Sequence, residues 1–265
     1  MVTIALQPSK IERSTLAWTG LLLVFAAIFA AELAYAYSEG YWWVALLGLW
    51  PLLSVVTVTS FYALASVSSP LGVRLMSGDL WPAIQPLLWP FQWVARALTH
   101  AKRSILGEQT RPSHVLPKLW LGMHPSAAEL RILEAQGVVH IVDLCAELPA
   151  NPRVLLPPYQ RLHVPALDRC PPSAQQLAEA TTWALDRMNE GHSVYVHCAF
   201  GRGRSAMMCA AIVLVLKQAQ GAQEAMALVR KARPGVSLKS AQWRALERFA
   251  SGLDVQRSGG DLLPK

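Results

Sequence analysis

The chain has 265 residues, 53% of them apolar and 15% charged, with 24 Lys and Arg against 17 Asp and Glu. That length suits one or two domains with a real core, no internal repeat is visible, and the four cysteines lack the spacing of a zinc site. The net charge of +7 favours anionic partners, but no nucleic-acid recognition motif accompanies it, so an anionic membrane surface is the nearer reading.

The apolar residues are concentrated in two stretches near the start. Leu16 to Tyr37 is broken only by Glu32, and Tyr41 to Ala65 carries no charge, with Pro51 inside it. A helix needs about 20 residues to cross a bilayer, and each stretch has that length. Tyr35, Tyr37, Tyr41, Trp42 and Trp43 cluster round the short Ser38-Glu39-Gly40 turn as an interfacial aromatic belt does. Residues 1–66 are therefore read as a hairpin of two transmembrane helices, about 16–37 and 41–65. Lys10 and Arg13 precede the first span, and Arg74, Arg96, Lys102 and Arg103 follow the second, with no basic residue in the turn between. By the positive-inside rule both ends belong in the cytoplasm. The competing reading of the first stretch is a signal peptide cleaved near Ala34-Tyr35-Ala36.

Residues 67–112 read as a juxtamembrane connector. Trp81, Trp89, Phe91 and Trp93, punctuated by Pro82, Pro86 and Pro90, give way to Arg96, His100, Lys102 and Arg103. The prolines argue against a third span. Aromatics beside cations suit either a segment lying in the membrane interface or a plain linker.

From Ser113 the composition becomes that of a soluble α/β domain, 113–252, followed by a flexible tail, 253–265. Lys118 to Gly122 reads as an edge strand, Ser126 with Glu129 as a capping box opening a helix that stops at Gly137. Val138 to Leu144 and Tyr159 to Val164 read as strands, and Pro165 to Pro172 as a loop. A helix capped by Ser173 runs to about Asn189. Val194 to Val196 is a buried strand, Ala206 to Leu216 a helix, and helices over 222–232 and 238–249 close the domain. From Arg111 onward there are 18 Lys and Arg against 12 Asp and Glu, so this part carries a surplus of six positive charges.

The chemistry gathers at Ser193 to Ser205, a strand, a glycine-bearing loop and a helix start. Such a turn makes an anion cradle, because successive N–H groups face inward and the helix dipole adds positive charge. A thiol set there becomes a nucleophile, which makes Cys198 the candidate. Ala199, Phe200, Gly201, Arg202, Gly203 and Arg204 would hold phosphoryl oxygens. Arg204 can grip two of them at once, Ser205 can donate to the departing sulfur, and Gly201 and Gly203 allow positive φ and close approach.

His197-Cys198, five residues, then Arg204-Ser205 resembles the signature of the protein tyrosine phosphatase superfamily. The order of elements resembles its compact dual-specificity branch over roughly 140 residues. The Leu-Trp-Leu-Gly opening, the Val-Asp-Leu-Cys-Ala-Glu strand end and the Arg-Pro near the close carry that likeness. The resemblance implies an α/β fold, a central mostly parallel sheet flanked by helices, here preceded by the transmembrane hairpin. It implies phosphate-monoester hydrolysis through a phosphocysteine intermediate, with no cofactor and no metal. It also implies an Asp acid and base about thirty residues before the cysteine. Asp168 lies thirty before Cys198 in a Pro-rich loop, and Asp143, at a strand end, is the second candidate, better read as structural. His197 would orient the loop. Cys170 is a candidate partner for an oxidised Cys198.

Gly-Arg-Gly-Arg over 201–204 resembles the Gly-Lys-Gly-Arg of phosphatases that act on inositol lipids, although Ala199 stands where those have Lys. The implied substrate is a phospholipid head group or a phosphoprotein, at the membrane, without nucleic acid. The sequence leaves oligomeric state open. The rival classes are a catalytically inactive, membrane-tethered phosphate-binding module and a thiol enzyme of other purpose, such as a sulfurtransferase.

Overall fold

The computed structural model describes residues 13–67 and 85–259. Lys10, Arg74, Trp81 and Pro82, which entered the orientation and connector readings, lie outside the described residues. The chain divides into two compact units between Phe91 and Gln92.

In the first unit, α1 (Arg13–Ser38) and α2 (Trp42–Val67) form a helical hairpin. The turn closes through Gly40, at φ +85°, and a bond from Tyr41 N–H to Ala36 O of 2.8 Å. Two segments, Thr19–Ser38 and Trp42–Leu64, are long and apolar enough to cross a membrane. Their large side chains are largely exposed, Phe25 at 59% and Leu47 at 71% among them.

The connector contains a helix, although the prolines argue only against a third span. This is α3 (Gln85–Leu106), with Pro86 in its first turn and Pro90 inside it. Pro90 has no N–H to give the carbonyl of Pro86. Trp50 supplies the missing donor, Nε1 to Pro86 O at 3.1 Å, and Ser54 Oγ accepts from Phe91 N–H at 3.3 Å. The interior proline is tolerated because a side chain satisfies the acceptor it orphans.

The second unit is built on five strands in the order β1-β2-β5-β3-β4. They are β1 (Ser113–Leu116), β2 (Leu119–Met123), β3 (His140–Cys145), β4 (Gln160–Ala166) and β5 (Val194–Cys198). β1 runs antiparallel to β2, and the remaining pairs are parallel. The stretch Lys118 to Gly122, read from sequence as an edge strand, is therefore internal. Leu119, Leu121, Gly122 and Met123 are buried because β1 and β5 flank them, and the half-exposed β1 takes the edge.

Both faces of the sheet are covered, which explains why its inner strands are apolar without strict alternation. One face packs Ile141 and Tyr195 against Leu130 and Leu133 of α4 (Ala127–Ala135). The other packs Leu121, Val142, Leu144, Val194 and Val196 against α5 (Ala174–Asn189), α6 (Arg204–Val215), α7 (Ala222–Ala232) and α8 (Ser240–Gly259). Both α4 and α5 start on capping boxes, Ser126 with Glu129 and Ser173 with Gln176, where each reciprocal pair satisfies two otherwise orphaned donors. The last helix continues to Gly259, through the first part of the stretch read as a flexible tail. α6 is buried from Arg204 to Leu214. Burying each of Met207, Met208, Ile212, Val213 and Leu214 stabilises by about 1.5–3 kcal/mol. The β5–α6 junction is thus anchored on both sides.

Candidate active site

That junction is the loop from Cys198 to Arg204. β5 ends at Cys198, which pairs in register with Met123 of β2. Gly201 sits at φ +64°, and a Cβ there would stand 2.6 Å from the Gly122 carbonyl carbon and oxygen, so only glycine fits. Gly203 has an ordinary negative φ of −112°. A Cβ on it would meet the Gln242 amide oxygen at 2.9 Å. The expected positive φ holds for the first glycine and not for the second, where close approach is the constraint.

Four consecutive carbonyls of the loop accept hydrogen bonds from outside it. Ala199 O takes His124 N–H at 3.3 Å, Phe200 O takes Lys102 Nζ at 3.2 Å, Gly201 O takes Arg233 Nε at 3.0 Å, and Arg202 O takes Ser237 N–H at 3.0 Å. A trans peptide sends its C=O and N–H to opposite sides. Each outward carbonyl therefore turns the next N–H, from Phe200 through Gly203, toward the concave side. The cradle is made of these amides and of the N-terminus of α6.

Cys198 lies buried at its base, with Sγ 3.3 Å from the fully buried Ser205 Oγ. Arg204 is 1% exposed, and its guanidinium is clamped from one side. Nη1 donates to Leu144 O at 3.3 Å, Ala166 O at 2.7 Å and Glu147 Oε2 at 2.8 Å, and Nη2 donates to Glu147 Oε1 at 2.5 Å. Glu147 holds the Arg204 pKa well above its ordinary value against the opposing effect of burial, with Cys198 and Asp168 adding to the same side. Arg204 Nε is buried with no protein partner. A buried donor left unmade is costly, and a phosphoryl oxygen would satisfy it.

Asp168 lies 3.4 Å from Arg204 Nη2, its side chain 44% exposed. It stands in a turn closed by Cys170 N–H to Leu167 O at 3.1 Å, with Arg169 at φ +66°. The half-exposed Asp168 carboxylate thus stands against the guanidinium whose charge is also felt by the buried Cys198. Arg202 is exposed on the rim, with Nε bonded to Gly235 O at 3.2 Å.

Asp143 stands apart from the mouth, wholly buried. It accepts from Cys145 N–H at 2.9 Å and pairs with Arg161 at 2.8 Å. Burial alone would raise its carboxyl; His197, Arg161 and His163 overcome that and bring it down to about 2. Burial in turn lowers the pKa of His197 to about 4, against the pull of Asp143. His197 is neutral at pH 7, so Arg161 is the cation that keeps Asp143 ionised there. His197 Nδ1 is 3.7 Å from Asp143 Oδ1, too long for a hydrogen bond, and is buried with no hydrogen-bond partner. Asp143, Cys145 and His197 bring three potential metal-ligating atoms within 4.8 Å of one another. The carboxylate is already engaged, and burial with Asp143 and Glu147 drives the Cys145 thiol well above its ordinary pKa. That set fits a structural network better than a metal.

The residues named from sequence, Cys198, Ser205, Arg204, Asp168 and the intervening loop, converge on one cradle. Sequence reasoning missed Glu147, Lys102, Arg233 and the His124 backbone. Two of these had a signal: Glu147 ends the Val-Asp-Leu-Cys-Ala-Glu stretch and Arg233 begins the Arg-Pro, both quoted only as marks of likeness.

Residues 119–251 match the family model described as dual specificity phosphatase, catalytic domain. Dual specificity phosphatase 28 from Mus musculus is 28% identical over 145 residues, 54% of this chain and 86% of that protein. The Homo sapiens counterpart is 30% identical over the same length, covering 79% of it. The Arabidopsis thaliana protein named phosphatidylglycerophosphate phosphatase PTPMT1 is 29% identical over 133 residues, 49% of this chain and 39% of that one. Among solved structures, a mutant form of Tk-PTP matches with a TM-score of 0.51 and 26% identity, over 56% of this chain and 99% of that one. The chain belongs to the dual-specificity phosphatase family, within the protein tyrosine phosphatase superfamily, and is a phosphatase.

Proposed function

We propose that the protein is a membrane-anchored, cysteine-dependent phosphatase that hydrolyses a phosphate monoester on a phospholipid head group through a phosphocysteine intermediate. The observation that carries the reading is the convergence of Cys198, the half-partnered Arg204 and Asp168 on one donor-lined cradle. In the first step Cys198 Sγ attacks phosphorus, the S–P bond forms and the P–O bond breaks. Asp168 gives its proton to the leaving alkoxide. Arg204 and the loop amides hold the three equatorial oxygens, where charge builds in the transition state. In the second step Asp168 takes a proton from water, whose oxygen attacks phosphorus. The S–P bond breaks with Ser205 donating to sulfur, and phosphate leaves. No step draws on a metal or cofactor.

Membrane anchoring is supported by the two apolar helices, whose candidate spans are only 17% and 28% buried, unlike the core helices of a soluble protein. It is also supported by Trp93, Val94, Leu98 and Ile105, exposed apolar residues of α3. The basic flanks argue for a cytoplasmic catalytic unit. A lipid head group suits the anchor, the six surplus cations and the rim position of Arg202. The Arabidopsis thaliana relative named as a phosphatidylglycerophosphate phosphatase points the same way, whereas a Rattus norvegicus relative, 33% identical over 78 residues, is named both phosphatidylglycerophosphatase and protein-tyrosine phosphatase. The phosphoprotein reading is favoured by the likeness to the Homo sapiens relative named dual specificity protein phosphatase 2, 26% identical over 142 residues.

The test is phosphate release by the full chain in detergent, wild type and Cys198→Ser. The substrates are an aryl phosphate, a phosphotyrosine peptide, phosphoinositides and phosphatidylglycerol phosphate. Turnover that the Ser variant abolishes, with a lipid ranked first, is the expected result. A phosphopeptide ranked first replaces the lipid reading. No release from any substrate leaves a tethered binding module.

A further inference from the structure

Of the four partners that turn the loop carbonyls outward, three arise within the segment matched to the catalytic family: His124, Arg233 and Ser237. The fourth, Lys102, lies upstream of it on α3. This part of α3 belongs to the same compact unit as the catalytic sheet, and its inward face is built to stay there. Ala95 packs on the main core and Thr99 is 3% exposed. Arg103 pairs with Glu129 at 3.0 Å and donates to the His124 carbonyl. Lys102 is seated between, its ammonium 4.9 Å from the centre of the Phe200 ring and 3.2 Å from the Phe200 carbonyl.

That seat costs the lysine part of its charge stability. Burial first, then Arg202 and Arg233, lower its pKa to about 8, with Cys198 acting the other way. Like charges crowded round an anion cradle are stabilised once a phosphoryl group arrives.

We propose that Lys102 is a positioning residue of the phosphate loop: by holding the Phe200 carbonyl outward it aims the Gly201 N–H into the cradle, so that turnover depends on α3 being docked. This rests on the phosphatase reading but not on the choice of substrate. Lys102 touches neither the reacting atoms nor the nucleophile; it acts through one peptide plane.

The test uses the full chain in detergent, as wild type, Lys102→Met, Lys102→Arg and Arg103→Met. Four quantities are read: kcat and KM on an aryl phosphate, the inhibition constant of orthovanadate, and the thermal midpoint. Losing a charge-assisted bond to the loop should lower kcat/KM in Lys102→Met by about tenfold and weaken orthovanadate by a similar factor. Lys102→Arg, which keeps the charge and a donor, should recover most of both. Arg103→Met removes a docking contact of the same helix and reaches the loop only at one remove, through His124, so it separates loosening of α3 from loss of the Phe200 bond. A larger deficit in Lys102→Met than in Arg103→Met supports the proposal even if both midpoints fall. Wild-type kcat/KM and orthovanadate affinity in Lys102→Met, equal deficits in the two Met variants, or an Arg variant as impaired as the Met one would each overturn it. Orthovanadate reads the cradle without turnover, so an inactive wild type that still binds it counts against the phosphatase reading and leaves this one open to the same comparison.

Discussion

Glu147→Gln is the substitution that most directly tests how the arginine is aimed. Glu147 accepts two bonds from Arg204, at 2.8 and 2.5 Å, with both partners almost fully buried. Removing one member of a buried ion pair costs about 3–5 kcal/mol, a large part of the roughly 5–15 kcal/mol that holds a domain together. Glu147→Ala should therefore report mostly on folding. Glutamine keeps the shape and one acceptor oxygen, and Leu144 O and Ala166 O still hold Nη1. What goes is the charge and one charge-assisted bond, about 2 kcal/mol. If that bond fixes the fork for phosphoryl oxygens, the loss falls on the transition state, about thirtyfold in kcat/KM. The assay is steady-state hydrolysis of an aryl phosphate by the full chain in detergent, beside its thermal midpoint. A Gln variant within about twofold of wild type in kcat/KM would refute the argument that Glu147 aims Arg204.

Asp168→Asn should cost about 10²–10⁴ in kcat on an alkyl phosphate and far less on a nitrophenyl phosphate, whose leaving group needs no proton; equal losses on both would remove Asp168 from the acid role. Stability should fall as pH drops from about 6.5 toward 4. Folded His197 titrates at about 4, below its ordinary 6.5, so the unfolded chain binds the extra proton first across that window. Asp143, held at about 2 against an ordinary 3.8, adds its loss only below that range. Thermal midpoints across pH should slope accordingly and become shallower, not flat, in His197→Gln, because burial also lowers the pKa values of His124 and His140; a wild-type midpoint that rises on acidification would contradict the sign. Gly201→Ala should abolish orthovanadate binding, since left-handed φ costs a side chain about 1–2 kcal/mol and the β2 backbone stands in the way. Gly203→Ala should be milder, because the atom it meets is the movable end of Gln242; titration calorimetry with equal losses in the two would reject this ranking.

Features set by near neighbours along the chain are legible in the residues themselves. The two capping boxes, the strand cores and the β5–loop–α6 junction rest on residues within about four positions of one another, where side-chain chemistry decides the backbone. Features set by distant partners are not. Pro90 removes one helical hydrogen bond, and its replacement comes from Trp50, on the other side of the connector. Lys118 to Gly122 has a strand pattern whether it lies inside or at an edge, because its two flanking strands are β1, just upstream, and β5, far downstream. Glu147 is visible as part of a motif, but its bond to Arg204 spans 57 residues. Asp143 can be set aside as structural from its place at a strand end, though the sequence does not name its partner Arg161.

The same distinction bears on where the catalytic unit begins. Composition changes at Ser113, and the family match starts at residue 119, yet the cradle draws on residues before both. Lys102 holds the Phe200 carbonyl. Arg233, which holds the Gly201 carbonyl, is itself anchored by Arg111 O at 2.6 Å and Thr110 O at 3.4 Å. A fragment starting at residue 113 would keep the nucleophile, the arginine, the acid and the whole sheet. It would lose the partner of one loop carbonyl and two anchors of the residue that holds the next. The Gly201 amide would then be free to turn, and the Arg202 amide would be less firmly set because Arg233 would keep only Ser113 Oγ of these anchors; cradle donors are effective only when they are fixed in advance. Weak activity in such a fragment would report on an unset loop, not on the chemistry of Cys198.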